Sequence, residues 1–462
     1  MNEAELRQLI DEPARRREVS AIALTQALLE RIATRNERVN AFLAVTAEAA
    51  LRDAERIDRE RAAGGDPGPL DGMPVAIKDN IDVAGAPCTA GSAWFRERIA
   101  DRDAETVRRL RAAGAVVIGK TALHELAYGA TTNNPHFGPA RNPWDPSRIP
   151  GGSSGGSGAA LGDDLCVGAL GTDTGGSVRV PAAFNGISAL RPTFGAISNR
   201  GVLSLCPSLD TVGPMARSVE DVARLAGVLI GHDREDPFAV EPPARLDDDS
   251  AAGDSLRGVR VGLPAAFFFE PPVEPDVAAN ARAAAGVLAE LGAAVTEVDV
   301  DGAERALADC ATIIRAEALA EHRERFEREG DRLGEDVRRR LALGLEVGGV
   351  ELAEAFGRMR RWRARMLATF DAIDVILTPC TPAAAPPIDS AETIATSAHV
   401  TRLCYPWSLA GLPCVAAPSG LDAGGLPTGL QLAAPPWRDG LALRVGAAYQ
   451  RATSFHRARP PL

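Results

Sequence analysis

The sequence is poor in lysine, in aromatic residues and in long apolar runs. Of 51 lysines and arginines only Lys78 and Lys120 are lysine, and aromatic residues make up 5 % of 462 residues. No apolar run reaches the roughly 18 residues of a membrane span, and the start of the chain lacks the apolar region of a signal peptide. A net charge of −11 offers phosphates no basic face, which argues against nucleic-acid binding.

The seven cysteines are scattered, with no C-x-x-C pair and no Cys/His metal spacing. We therefore expect reduced, buried cysteines in a cytoplasmic protein. The scarcity of lysine raises a second question, because arginine keeps its proton near neutral pH whereas a buried lysine can lose it. Each lysine is thus a candidate for proton transfer, with chance survival or packing as the other interpretation.

Patterning along the chain predicts one α/β domain over residues 1–462. Residues 1–64 are expected to form helices that pack on the core, with Ser20 as an N-cap. Short apolar runs then alternate with helical stretches, residues 303–370 are almost wholly helix-forming, and residues 371–462 return to strands. This order predicts a large mixed, mostly parallel central sheet sandwiched between helices.

Two clusters rich in glycine and hydroxyl residues stand at 151–158 and 171–177. A short helix and a strand between them would bring both to one end of a sheet. Glycine exposes successive backbone N–H groups, which an oxyanion requires, and the neighbouring hydroxyls are candidate nucleophiles. The sequence therefore predicts a serine-based site built from these two clusters.

A serine nucleophile needs a base, and no histidine lies near either cluster. Lys78 follows the apolar run 74–77, so burial could lower its pKa toward neutrality. Asp79 and Asp82 would oppose this, because a nearby anion holds the proton on the amine. From the sequence, the balance between these effects stays open.

Three other patterns compete with this interpretation. Residues 114–121 match the phosphate-loop letters G-x-x-x-x-G-K-[ST], but the intervening Ala-Val-Val-Ile is typical of a strand. Residues 151–155 match G-x-S-x-G, which would make Ser153 a nucleophile with His399 or His456 as base. The weak strand before it argues against that elbow. His124 beside Glu125 lacks the second histidine of a metal motif and is more simply structural.

Four segments together resemble the amidase signature enzymes: 68–85, 151–157, 171–186 and the tail around 410–431. The resemblance covers about residues 20 to 450. It implies that Ser177 is the nucleophile, and that Ser153 follows a cis peptide bond and relays protons between Ser177 and Lys78. It further implies an oxyanion hole from the backbone N–H groups of Thr174, Gly175, Gly176 and Ser177, with Gly152, Ser154, Asp173 and Arg179 as supporting residues.

The same resemblance implies a hydrolase that acts on linear, non-peptide carboxamide bonds through an acyl-enzyme, with no metal and no cofactor. The substrate is expected to be a small apolar or aryl amide, or a carbamate. We expect no binding to nucleic acid or to a membrane, and the sequence leaves open whether the protein forms a homodimer. Tyr128, Tyr405 and Trp407 are candidates for the substrate pocket, with core packing as the alternative, and segment 303–370 is expected to contribute to it.

Two alternatives remain for the function. Carbamate, urea-type and aryl acylamide hydrolases of the family share the chemistry and differ in leaving group and pocket. An amidotransferase complex subunit that needs a partner belongs to a different class. In the pattern S-I-R-Q typical of the glutamyl-tRNA amidotransferase subunits, glutamine stands where this chain has Val180, which argues against that branch.

Overall fold

The computed structural model describes residues 1–243, 253–389 and 393–461. Its strands form one eleven-stranded sheet in the order β1-β3-β2-β4-β6-β5-β10-β11-β9-β7-β8. The strands are β1 (Phe42–Val45), β2 (Pro74–Lys78), β3 (Val116–Thr121), β4 (Gly168–Thr172), β5 (Ser188–Arg191), β6 (Val212–Ala216), β7 (Arg260–Leu263), β8 (Ala294–Glu297), β9 (Val375–Pro379), β10 (Cys414–Leu421) and β11 (Pro427–Ala433).

Fourteen α-helices accompany the sheet in the described part of the chain. They are α1 (Glu3–Asp11), α2 (Ala21–Val39), α3 (Ala47–Ala62), α4 (Glu105–Ala112), α5 (Gly155–Gly162), α6 (Arg179–Asn185), α7 (Val219–Leu229), α8 (Pro275–Glu290), α9 (Ala303–Glu329), α10 (Glu335–Leu343), α11 (Gly349–Thr369), α12 (Thr393–Thr401), α13 (Tyr405–Ala410) and α14 (Asp439–Ala452). None of the described helices is long and apolar enough to cross a membrane.

The predicted mixed sheet between helices is confirmed, but parallel pairing does not predominate. Six of the ten neighbouring pairs are antiparallel and four are parallel. The hairpin β10–β11 and the reversed direction of β6 contribute antiparallel pairs. The sequence does not reveal them, because an apolar run has the same pattern in either strand direction. Residues 1–64 also include the edge strand β1, which pairs with β3 and has no clear signal in the sequence. Ser20 caps α2 through a hydrogen bond from the N–H of Ala23.

Alternation along the central strands divides the core between the two faces of the sheet. In β2, Val75 and Ile77 join the apolar cluster on one face, while Ala76 joins the cluster on the other. In β10, Val415 and Ala416 divide in the same way. Helices α3, α5 and α6 cover the face of Ala76, and α4, α7, α8 and α14 cover the opposite face. All seven cysteines are buried without disulfides.

Helix α5 begins in close contact with the chain just past β3, because its first four residues are only glycine and serine. A Cβ on Gly156 would collide with the backbone of Ala122, just past the end of β3. The N–H of Gly156 donates to the Ala122 carbonyl at 3.0 Å. This close approach brings the loop before α5 beside the ends of β2 and β4, where the predicted site residues lie.

Candidate active site

Lys78 ends β2 in a fully buried position. Its Nζ donates to Ser153 Oγ at 2.7 Å and to Thr172 Oγ1 at 2.6 Å, and it forms no ion pair with any described carboxylate. Burial lowers the pKa of Lys78 to about 7, and the more distant charges of Asp210 and Asp173 only partly oppose it. A substantial share of this amine is therefore neutral near pH 7.

The two carboxylates beside Lys78 in sequence are engaged elsewhere. Asp79 forms an ion pair with Lys120 at 2.9 Å, and Asp82 forms one with Arg98 at 2.5 Å. Neither contacts the Lys78 amine, because Asp79 leaves the strand end in the opposite direction from Lys78 and Asp82 lies beyond the end of β2. The anions that do act on Lys78 come from distant segments, so no local pattern points to them.

The two glycine-rich clusters meet as the sequence predicted. The peptide between Gly152 and Ser153 is cis. The N–H of Ser154 donates to the Ser177 carbonyl at 3.1 Å, which joins the loop before α5 to the loop after β4. Ser154 Oγ also bridges the N–H and C=O of Thr172, at 3.2 Å each. Ser154 thus holds the end of β4 in place.

Ser177 lies in the loop after β4 and borders a cavity, with 8 % of its surface exposed. Its Oγ has no hydrogen-bond partner among the described residues. The backbone N–H groups of Thr174, Gly175 and Ser177 also lack an acceptor in that part of the chain. Gly176 is different, because its N–H donates to Asp173 Oδ1 at 2.8 Å. Of the four predicted oxyanion donors, Gly176 is thus already engaged by a side chain, whereas the other three have no acceptor among the described residues.

Asp173 organises this loop through both of its carboxylate oxygens. Besides Gly176 it accepts from the N–H of Val178 at 3.2 Å, and it pairs with Arg179 at 3.0 Å and Arg191 at 2.9 Å. Burial alone would raise its pKa, but the two guanidinium groups hold the pKa of Asp173 well below its usual range. A permanently ionised carboxylate thus fixes the shape of residues 174–178.

Arg179 connects the same loop to the C-terminal part of the sheet. It donates to Ser408 Oγ at 2.6 Å, to Gln431 Oε1 at 3.0 Å and to the Cys404 carbonyl at 3.2 Å. The sequence pointed to Arg179 and Asp173 but missed three residues of this network: Thr172, Arg191 and Gln431. Thr172 stood inside the second cluster and Gln431 at the end of the tail segment that resembles the family, whereas no local signal marked Arg191.

The cavity beside Ser177 is small, and aromatic and apolar side chains form much of its wall. Tyr128 and Tyr405 lie on that wall, as does Arg340 of α10, which the sequence did not single out. Trp407 does not border it; the Trp407 ring is fully buried and stacks on Phe268 with ring centres 4.8 Å apart. The pocket assignment of Trp407 is therefore wrong, because the side chain points into the core behind α13.

The competing patterns do not assemble a site of their own. Residues 116–121 form β3, as their strand-like composition indicated. Ser153 Oγ is bonded to Lys78 and, in the described chain, to no histidine. His124 pairs with Asp336 at 2.9 Å. No group of three or more His, Cys, Asp or Glu side chains in the described ranges is placed to hold a metal ion.

Comparison with known proteins places this chain in a family. The Amidase family model matches residues 23–443. A glutamyl-tRNA(Gln) amidotransferase subunit from Symbiobacterium thermophilum is 39 % identical over 474 residues, covering 96 % of each chain. A structure from a vestigial protein complex that bears on the origins of an s-triazine catabolic enzyme is 34 % identical and superposes with a TM-score of 0.90 over 100 % of each chain.

A third similarity involves a hydrolase of a cyclic dimer. The structure of 6-aminohexanoate cyclic dimer hydrolase is 29 % identical, with a TM-score of 0.87 over 97 % of each chain. The three relatives differ in what their names say they act on, while the fold and the extent of the match agree. The chain belongs to the amidase signature family.

Proposed function

We propose that this protein hydrolyses a carboxamide-type C–N bond through an acyl-enzyme on Ser177. The observation that carries the proposal is the state of Lys78, a buried amine with a pKa of about 7 that contacts hydroxyls and no described carboxylate. A general base works best when its pKa lies near the operating pH. Ser153 accepts a hydrogen bond from this amine, and the next residue, Ser154, is hydrogen-bonded through its N–H to the Ser177 carbonyl.

The proposed reaction begins with attack of Ser177 Oγ on the substrate carbonyl carbon. The Ser177 proton passes to Ser153 Oγ, and the Ser153 proton passes to the neutral Lys78 Nζ. The carbonyl oxygen becomes an oxyanion, and the N–H groups of Thr174, Gly175 and Ser177 are free to stabilise it. The C–N bond then breaks as the leaving nitrogen takes the proton back through Ser153. Water releases the acid by the same steps, with Ser177 as leaving group.

The cavity wall supports a small substrate with an apolar or aryl portion. Tyr128, Tyr405, Leu205 and Ile314 supply aromatic and aliphatic surface next to the loop of Ser177. Amides, carbamates, urea-type compounds and aryl acylamides can all present a carbonyl to that loop, since they differ in the leaving group. We take a simple carboxamide as the first substrate class to examine.

A second candidate function is that of one component in an amidotransferase complex. The name of the relative from Symbiobacterium thermophilum supports it, as does the complex that provided the s-triazine-related structure. Against it stands Val180, which is fully buried and puts an apolar side chain where the S-I-R-Q pattern has glutamine. Amide hydrolysis by the purified chain alone would favour the free amidase. Activity that requires an added partner protein would favour the complex.

Fluorophosphonate labelling, with the modified peptide mapped by mass spectrometry, tests the assignment of Ser177. We expect the adduct on Ser177, and much slower labelling of a Lys78→Ala variant. A Ser157→Ala variant is the matched control. Ser157 lies in the same glycine-rich segment, but its hydroxyl is buried against Thr121 and the Leu170 carbonyl. The Ser157→Ala variant should therefore be labelled on Ser177 at the wild-type rate.

The position of the adduct separates the possible outcomes. An adduct on Ser153 would favour the nucleophile-elbow alternative of an α/β-hydrolase. A folded protein that forms no adduct on either serine would overturn the proposal.

A further inference from the structure

A second, wider cavity, which we call the outer chamber, shares part of its wall with the cavity at Ser177. Its volume is about 370 Å³. Side chains of α9, α10 and α12 form most of its wall. Five residues border both cavities, and we call the place where they lie the passage: Tyr128, Ile314, Arg340, Ser397 and Tyr405. A substrate that extends from Ser177 past these five residues would have its far end in the outer chamber.

Arg340 stands at the passage with one donor group unused. Only 8 % of its surface is exposed. Its Nε donates to Asp336 at 2.9 Å, and its Nη2 donates to Ser397 Oγ and to the Thr393 carbonyl at 3.0 Å each. Nη1 has no acceptor among the described residues. Because Arg340 lines both cavities, this unused donor is available to an acceptor group of a ligand.

A second guanidinium group borders the outer chamber. Arg315 of α9 is exposed and has no hydrogen-bond or ion-pair partner for its side chain in the described part of the protein. The acidic residue on the same wall is Glu304, about 16 Å along α9 at the rise of an α-helix. Asp336 balances Arg340, so Arg315 leaves the inner end of the chamber with an excess positive charge.

We propose that the substrate is an amide with a carboxylate at the end remote from the scissile bond, and that Arg340 and Arg315 bind this carboxylate. This inference rests on the proposed amidase function and narrows its substrate class. Guanidinium groups suit carboxylates because their planar N–H pairs match the two oxygens. Tyr128 and Tyr405 then pack on the portion between the carboxylate and the amide.

Matched pairs of amides test the substrate class. Each pair contains the half-amide of a dicarboxylic acid and a neutral amide of the same length, such as succinamate with butyramide, glutaramate with pentanamide, and terephthalamate with toluamide. We expect the wild-type protein to show a kcat/KM about ten-fold or more higher for the acidic member of at least one pair. Equal or lower values for the acidic member of every hydrolysed pair would overturn the inference.

Two variants connect that preference to the named residues. Arg315→Gln and Arg340→Gln should each reduce the acidic-to-neutral ratio of kcat/KM by about ten-fold. Arg323→Gln is the matched control, because Arg323 lies on the same helix and pairs with Glu327 on the surface. It should leave the ratio unchanged. Arg315 is exposed and makes no ion pair with a described residue, so Arg315→Gln keeps the test valid even if Arg340→Gln unfolds. A ratio unaffected by Arg315→Gln and by a folded Arg340→Gln would overturn the inference.

The labelling experiment distinguishes failure of this inference from failure of the proposed function. If Ser177 labels but no pair is hydrolysed, the same compounds are compared as protectants against labelling. Stronger protection by the acidic members would support the inference, and equal or absent protection would overturn it. If Ser177 does not label at all, the proposed function fails, and the inference fails with it.

Discussion

Lys78 and Lys120 end adjacent parallel strands, yet their surroundings are opposite. Both side chains are completely buried, and the register places Lys78 opposite Thr121, next to Lys120. Lys120 has a carboxylate at 2.9 Å and the Pro87 carbonyl at 2.7 Å. Lys78 has two hydroxyls. Burial is thus shared, and the contact carboxylate is what differs.

The comparison shows what allows a buried amine to work as a base. Removal from water favours the neutral form of any lysine, and a contact carboxylate favours the charged form. At Lys120 the carboxylate completes an ion pair, which suits a structural role. At Lys78 the nearest acidic side chains in sequence are paired elsewhere, so burial dominates and the pKa falls to about 7. A structural lysine and a candidate catalytic lysine therefore lie on adjacent strands of the sheet.

The largest expected effect comes from making both lysines permanently charged. Lys78→Arg should reduce kcat/KM for any amide substrate by about 10² to 10⁴-fold, because arginine cannot accept the proton from Ser153. Lys120→Arg, the same change on the next strand, keeps a cation beside Asp79 and should retain most of the activity. Steady-state kinetics on both variants, with melting temperatures to verify folding, measures the difference. Similar losses of kcat/KM in the two variants would contradict the assignment of a catalytic role to Lys78 and a structural role to Lys120.

The second effect is on stability, and here the change at Lys120 should cost more than the change at Lys78. Lys120→Met leaves Asp79 buried without its partner and should lower the free energy of unfolding by about 3 to 5 kcal/mol. Lys78→Met leaves no carboxylate without its contact partner and should cost less. Urea unfolding monitored by circular dichroism gives both values. Adding Asp79→Asn to Lys120→Met should recover part of the loss; no recovery would show that the ion pair is not the cause.

The smallest effect concerns the pH dependence of kcat/KM. The proposed reaction needs the neutral form of Lys78, so activity should fall as pH drops through about 7. Asp210 raises the pKa of Lys78, and Asp210→Asn should therefore move this acidic limb to lower pH, by less than about one unit. Asp82→Asn is the control, because Asp82 pairs with Arg98. This account would be contradicted if the acidic limb of the pH profile did not shift in Asp210→Asn. An equal shift in Asp82→Asn would contradict it as well.

The sequence predicted local features of the fold better than pairing between distant segments. Ser20 and the strand character of residues 116–121 were evident because each depends on neighbouring residues. The six antiparallel pairs and the edge strand β1 were not, since strand direction depends on contacts between segments far apart in sequence. Trp407 was misplaced for the same reason, because its partner Phe268 lies in another part of the chain.

The candidate site shows the same division. Lys78, Ser153 and Ser177 could be singled out from composition, glycine clusters and family resemblance. The engagement of the Gly176 N–H by Asp173 could not, because it depends on how one loop folds back on a side chain. Arg340 and Arg315 gave no signal among 49 arginines in a chain that uses arginine almost everywhere.

Because both lysines are buried, the reactivity of their amines measures local unfolding of the sheet around them. The chain has no other lysine, and neither Nζ group is reachable from solvent in the folded state. An amine-acylating reagent therefore meets only the α-amino group of Met1 while the sheet is intact. Acylation of a lysine requires the strands around it to separate, so its rate measures how often that part of the sheet opens. Because β2 and β3 are neighbours, the two rates would show whether the strands of Lys78 and Lys120 open together.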